Sequence, residues 1–515
     1  MRRDFARPAP VGLRWVARPF AGPHFALALF AVAVPLFAAC GLVRVGLHQV
    51  DGYDLGLFTQ VVQRYAHFQA PLATLKGDGF NILGDHFHPI IAAWVPLYWL
   101  WSGPGSLVIG QALVVAATVF PLWRFVQRHW RGSLSPRILT ATALAGWPIL
   151  TLVCYDVHEI AFAIPLLAWA IDALDRRAVP ALLVSCGLLL LVREDMGTAI
   201  AMIGAVWLAW PRPRHRTRGD WAIGVGLVLG GALAVALITR IVIPHFDPRG
   251  YQYWAFSDFG DTLASALTSA VRRPWRVIWL LFWPPLKTAT WLVLLVPLGF
   301  WPLRSPYALI ALPLMVERML GMRQNMWVPG AHYDAPIWIV LVFAAVAAWG
   351  RLPDDRLTRV RIRVLVTISL VMSLVTALIE GVYVAITTTA SADRAAAVAF
   401  VPADTCVVAS NRLAGDFVAT NRVTVPAVSQ QRQDFYVVDL RGQSFGRAGQ
   451  PFFRIGESVH GTTGTDAALA WTGQQVYDYA ADKGFRPVYQ SGDVVVLQAP
   501  DYAGPDPATC GPDAP

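Results

Sequence analysis

Apolar runs of membrane-crossing length recur through most of the chain, parted by short polar stretches. A helical span needs about 20 mostly apolar residues. Candidates centre near residues 25–43, 105–123, 138–154, 160–174, 179–192, 196–210, 221–243, 287–303, 305–316, 336–350 and 364–387. The pattern predicts about eleven transmembrane helices. Ile90–Trp101 is shorter, contains Pro96 and ends in YWLW, so it reads as an interfacial or re-entrant segment. Beyond about Thr389 the period changes. Short β-branched runs (TCVVAS, FYVVDL, DVVVLQ) alternate with Gly, Asp and Asn turns, the pattern of a small α/β domain. The expected fold class is therefore mainly α: a polytopic helical membrane domain over 1–389 and a C-terminal α/β domain over 390–515. The first large polar loop covers 51–89.

Basic residues fall in blocks between the apolar runs, which encodes orientation. With Arg2, Arg3, Arg7, Arg14 and Arg18 placed in the cytoplasm, the 51–89 loop lies outside. Arg124, Arg128, Arg131 and Arg137 then lie inside, as do Arg176, Arg177, the Arg212–Arg218 block, Arg304 and the Arg351–Arg363 cluster. An odd number of spans makes the C-terminal domain extracytoplasmic. The first apolar stretch reaches about Val43 without a clear small-residue cleavage site, so it is expected to stay as the first helix.

Composition agrees with a life in lipid. Hydrophobic residues make up 56% of 515 and charged residues 15%, with mean hydropathy +0.48, against about 25% charged in soluble domains. The net charge of +9 is dispersed in those orienting blocks, so no nucleic-acid partner is expected. Cys40, Cys154 and Cys186 lie in apolar runs and read as packing residues. Cys406 and Cys510 lie in the polar tail, where export would permit a disulfide that no spacing rule requires.

The polar groups between spans carry the candidate chemistry. DGYDLGLFTQ places Asp51 and Asp54 just after the first helix. There a carboxylate either caps the following turn or serves as a general base or metal ligand. GDHFHP supplies Asp85, His86 and His88. If that stretch is extended, Asp85 points from one face while both histidines share the other. YDVHE supplies Asp156, His158 and Glu159 at one helix end, and VRED supplies Arg193, Glu194 and Asp195 at another. Arg193 either pairs with a neighbouring acid or grips a phosphate with its planar fork. The Glu317–Asp334 loop adds Arg318, Arg323, His332 and Tyr333. Nearly all of these fall on the outer side of the deduced topology, and independent placement would scatter them. Asp54, Asp85 and His86 are candidate ligands for a divalent ion, although closed zinc sites use other spacings. The chain has no Walker loop, no GxGxxG after a strand and no HExxH, which removes ATP-driven work, dinucleotide chemistry and hydrolysis by a zinc site of that motif.

YDLGLFTQ, LGDHFHP with the following PLYWL, the YDVHE and VRED ends, and AHYDAP resemble the domain-of-unknown-function 2079 family of bacterial multi-pass membrane proteins. VPADTCVVASNRLAGDFVATNRVTVP with FYVVDL resembles that family's extracytoplasmic C-terminal domain. The family is similar in layout to the GT-C glycosyltransferases, which take sugar from a polyprenyl-phosphate carrier on the outer face of the membrane. Their essential acid follows the first helix, the position of Asp54 or Asp51. The sequence departs from the family's pattern at Glu159, where Pro usually follows His, and at Arg193, where Lys is common.

The resemblance implies transfer of a sugar from a polyprenyl-phospho-sugar to a hydroxyl acceptor on a glycan or protein, in the bacterial cytoplasmic membrane. Asp54 is the expected base, with Asp51 as alternative. Arg193 and His332 are expected to meet the donor phosphate. Asp85, His86, His88, Asp156, His158, Glu159, Glu194 and Tyr333 are expected to shape the substrate site. The alternatives are a transporter or lipid flippase lined by the same residues, and a non-catalytic cell-envelope protein. The charges cluster at one face and no inverted repeat is evident, which favours the enzyme over the transporter.

Overall fold

The computed structural model describes residues 24–209, 217–254, 256–321, 324–330, 332–426, 428–441 and 471–512. The N-terminal arginines, Arg212, Arg214, Arg216 and Arg323 lie outside them.

The body is helical, and its centre is the Asp334–Trp349 helix. All sixteen residues of DAPIWIVLVFAAVAAW are buried, as expected for a helix apolar on every side. Its Trp338 indole donates to the Ala143 carbonyl at 3.1 Å. That ring lies so close to Gly146 that a Cβ there would meet the indole nitrogen at 2.4 Å.

Among the described residues four helices have the length and hydropathy to cross a bilayer: His24–Gly46, Pro104–His129, Arg218–Phe246 and Arg356–Thr387. Two bent pairs, Pro136–Leu144 with Trp147–Cys154 (40°) and Pro274–Phe282 with Pro285–Leu298 (69°), raise the number to six. The expected eleven spans are not confirmed. The remaining apolar runs form shorter helices, such as Val179–Leu190 and Met196–Ala209, which the charged VRED stretch separates. Ile90–Trp101 falls short of a spanning length. It forms a 3₁₀ turn over Pro89–Trp94 and a short helix over Val95–Leu100.

Met196–Ala209 and Arg218–Leu237 pack through facing glycines. A Cβ on Gly231 would lie 2.4 Å from the Gly197 carbonyl, and one on Gly204 would lie 2.7 Å from the Gly224 carbonyl. Small residues at such crossings let helix backbones approach where lipid gives no hydrophobic drive. The opposite side of Arg218–Leu237 exposes Leu229, Leu233 and Leu237, and Arg356–Thr387 exposes Leu370, Leu374 and Leu378, surfaces suited to lipid.

The C-terminal residues form the expected small sheet. Strands β1 (Cys406–Ala409), β2 (Arg422–Thr424), β3 (Phe435–Asp439), β4 (Arg486–Ser491) and β5 (Val494–Gln498) are ordered β2-β1-β3-β5-β4. The first three are parallel, and β3-β5-β4 is antiparallel. The Asn411–Phe417 helix crosses from β1 to β2. Cys406 and Cys510 form a disulfide that fastens the chain end to β1.

This sheet sits on the first polar loop. The β2 edge is covered by Gln60 Nε2 and Thr74 Oγ1, which donate to the Val423 carbonyl at 3.2 and 2.5 Å. Asp78 accepts from Arg422 and Ser429 at 2.7 Å each, and from the Gln430 N–H at 3.0 Å.

Candidate active site

The DGYDLG turn begins where the first long helix ends. Asp54 sits at φ +67°, ψ −97°, a region that non-glycine residues rarely occupy and that must be enforced from outside. The enforcement comes from the C-terminal unit. The Tyr53 N–H donates to Asn411 Oδ1 at 2.8 Å. A Cβ on Gly52 would lie 2.6 Å from that of Ala414, and one on Gly415 would lie 2.4 Å from a Val50 methyl. Among the described residues the Asp54 carboxylate has no hydrogen-bond or ion-pair partner. It does not cap the helix that follows, so the capping reading falls away. The preceding Asp51 gives its carbonyl to the Gly56 N–H at 3.1 Å.

The other candidate segments meet in one network of contacts. Lys76 lies over the Tyr53 ring at 5.5 Å and pairs with Asp85 at 3.0 Å. Tyr253 donates its hydroxyl to Asp85 at 2.6 Å and stacks on His86 at 3.9 Å. His86 Nδ1 meets Glu194 Oε1 at 2.6 Å, and the Phe87 N–H donates to Glu194 Oε2 at 3.1 Å. His158 Nδ1 meets Glu159 at 2.7 Å, and Arg193 lies 3.6 Å from the same carboxylate. His332 stacks on His158 at 3.6 Å and touches Tyr155 and Tyr333. Four polar segments separated by long apolar stretches thus converge, as the charge pattern implied.

Some expected roles change in this arrangement. Asp85 and His86 both face Tyr253, whereas His88 turns into the core against Phe58. The stretch is not extended, since Asp85 takes helical angles, and the predicted shared histidine face does not form. Asp156 is held by Arg44 of the first helix at 2.8 Å, and both are buried. Arg193 takes its paired form, giving Asp195 two hydrogen bonds. Among the described residues, Cys406, Asp434 and Cys510 form the one set of three Cys, His or acidic groups with ligand atoms within 4.8 Å of one another. There the sulfurs are bonded together. Asp54, Asp85 and His86 are not gathered as a ready ion site, and of the three Asp54 alone has its carboxylate unengaged.

The electrostatics follow from burial opposed by pairing. Burial works against charge on Asp85, but Lys76 and His86 outweigh it and hold the carboxyl down to about 2. Burial likewise opposes charge on His86 and Glu194. Their mutual attraction prevails, raising His86 and lowering Glu194. Burial lowers His88, and its Nδ1 finds no partner among the described residues. Burial, reinforced by Asp195, pushes Glu317 up to about 8.

Glu317 was not singled out in the sequence. It lines a cavity of about 50 Å³ with Arg193, Asp195, Arg318 and Tyr333. Its one signal is an acid interrupting the apolar run LPLMVERML. Tyr253 and Lys76 carry no comparable signal. Beside the cavity, Arg318 and Asp334 form a buried ion pair, and the Gly330 N–H donates to Asp334 at 2.7 Å.

The chain belongs to the DUF2079 family of predicted membrane proteins, whose pattern matches residues 47–443. No curated protein matches it. ArnT from Cupriavidus metallidurans bound to undecaprenyl phosphate has a similar fold, at TM-score 0.51 and 12% identity, over 94% of this chain and 100% of that one. The apo form of the same protein aligns at TM-score 0.47 and 12% identity, over 92% and 99%. The resemblance drawn from YDLGLFTQ, LGDHFHP, YDVHE, VRED and AHYDAP is borne out at the level of family and fold.

Proposed function

We propose that this DUF2079-family membrane protein is a GT-C-like glycosyltransferase that moves a sugar from a polyprenyl-phosphate carrier to a hydroxyl acceptor. The observation that carries the reading is Asp54: a carboxylate with no partner among the described residues, held on an enforced turn directly after the first long helix, next to Tyr53, over whose ring lies Lys76 of the ion-pair network. The ArnT-like fold supports a lipid carrier, because the similar structure binds undecaprenyl phosphate.

In this mechanism Asp54 removes the proton from the acceptor hydroxyl. The acceptor oxygen attacks the anomeric carbon, the bond from that carbon to the phosphate oxygen breaks, and polyprenyl phosphate leaves with the electron pair. Arg193 and His332 meet the developing phosphate charge, with Asp195 as the counter-ion that phosphate displaces. His86, His158 and Tyr333 border the sugar. The working face is extracytoplasmic in this reading, in keeping with the disulfide on the sheet that covers it.

Wild type and Asp54→Asn, purified in detergent, would be offered a panel of radiolabelled polyprenyl-phospho-sugars. Asp54→Asn should lower turnover by about 10²–10⁴-fold while donor binding survives. Donor binding without turnover by wild type, together with lipid scrambling in liposomes, would replace the enzyme with a transporter.

A further inference from the structure

The Arg356–Thr387 helix leads at its C-terminal end into the sheet. Its first turns therefore lie about 48 Å away, at the far side of the membrane body. There the helix and residues 299–304 border an open groove of about 470 Å³. Phe300, Trp301, Val360 and Val364 supply apolar walls, and Arg304 and Arg361 supply two cations. Gly299 makes the bend with φ +61°, and a Cβ there would lie 2.7 Å from Leu365.

Neither cation is neutralised by a salt bridge among the described residues. Arg304 lies over the Trp301 ring at 4.5 Å. Arg361 feels Asp355 without pairing to it, while Asp354 pairs with Arg359 at 4.0 Å. The 351–363 stretch holds five arginines against two aspartates, so the groove mouth is cationic. Just beyond it the helix surface turns apolar, with Leu370, Val371 and Leu374 exposed. The groove thus sits where headgroups meet acyl chains.

We propose that this groove binds one anionic phospholipid, with its phosphate between Arg304 and Arg361 and an acyl chain along Phe300, Val360 and Val364. Free phosphate would satisfy the arginines and leave the apolar walls wet. A neutral lipid would cover the walls and leave two cations unanswered. Basic pockets between membrane helices recognise anionic headgroups on this principle. The site is remote from Asp54 and does not depend on the glycosyltransferase reading.

The test is native mass spectrometry of the full chain in detergent, titrated with dioleoyl-phosphatidylglycerol or dioleoyl-phosphatidylcholine. The samples are wild type, Arg304→Gln/Arg361→Gln, and Arg272→Gln/Arg273→Gln as a charge-matched control. Wild type and control should prefer phosphatidylglycerol, and the groove variant should bind it about 10- to 30-fold more weakly. A photoactivatable phosphatidylglycerol should label the peptides holding Phe300 or Val364 in wild type, a readout that needs no variant to fold. Equal phosphatidylglycerol binding by wild type and groove variant, equal affinity of wild type for both lipids, or labelling only elsewhere would overturn the proposal.

Discussion

Two titrating groups with opposite shifts meet at the His86–Glu194 pair, and each sets one limit of a pH window. Glu194 is lowered from an ordinary 4.5, so its contribution is complete above that value and is lost as pH falls through the lower folded value. His86 is raised from an ordinary 6.5, so its contribution is complete below 6.5 and is lost as pH rises through the higher folded value. The pair should stabilise the fold most between these two ordinary values. In a melting-temperature profile across pH, His86→Gln should flatten that maximum. An unchanged profile would remove the pair from the account. At this scale the sequence revealed which residue types were out of place in an apolar chain: Asp54, His86, Glu159 and Arg193. It could not reveal partners, because His86 and Glu194 are 108 positions apart. Nor did it mark Tyr253, which looks like any loop aromatic until its ring is seen on His86.

Helices in this chain are sized by their interruptions more than by their hydropathy. The apolar run expected over 196–210 is the 14-residue helix Met196–Ala209, which relies on its neighbour Arg218–Leu237. Glycine is what makes that reliance close. Gly231→Val should cost about 1–3 kcal/mol by forcing apart the Gly231–Gly197 approach. Gly226→Val, on the same helix but with nothing within 4 Å of its Cβ, should be near neutral. Thermal unfolding in detergent compares the two, and equal losses would show that helix propensity, not the crossing, sets the cost. The number of spans was illegible for the same reason. A proline or glycine within an apolar run signals a break, a kink or a close contact, and only tertiary packing decides which.

Across the whole molecule, the sheet and the first loop form one assembly built from distant parts of the chain. The change of period after Thr389 made the sheet legible, and the cysteine pair made its bridge conceivable. Neither hinted that β2 would be sealed by Gln60 and Thr74. The disulfide closes a separation of 104 residues. Its loss in Cys406→Ser/Cys510→Ser should weaken the C-terminal unit by about 2–5 kcal/mol. Limited proteolysis should then cut that unit at lower temperature, and reduced wild type should match the variant. Equal protease resistance in all three would deny the bridge a structural role.

The hydrogen bond from Tyr53 to Asn411 spans 358 residues. At about 5–20 residues per second, the ribosome needs roughly 20–70 s to travel that far. During this interval the Asp54 turn waits without the helix that gives it its shape. The geometry that makes Asp54 a candidate base is thus completed late in synthesis, and a chain cut short before Asn411 carries the acid without its posture.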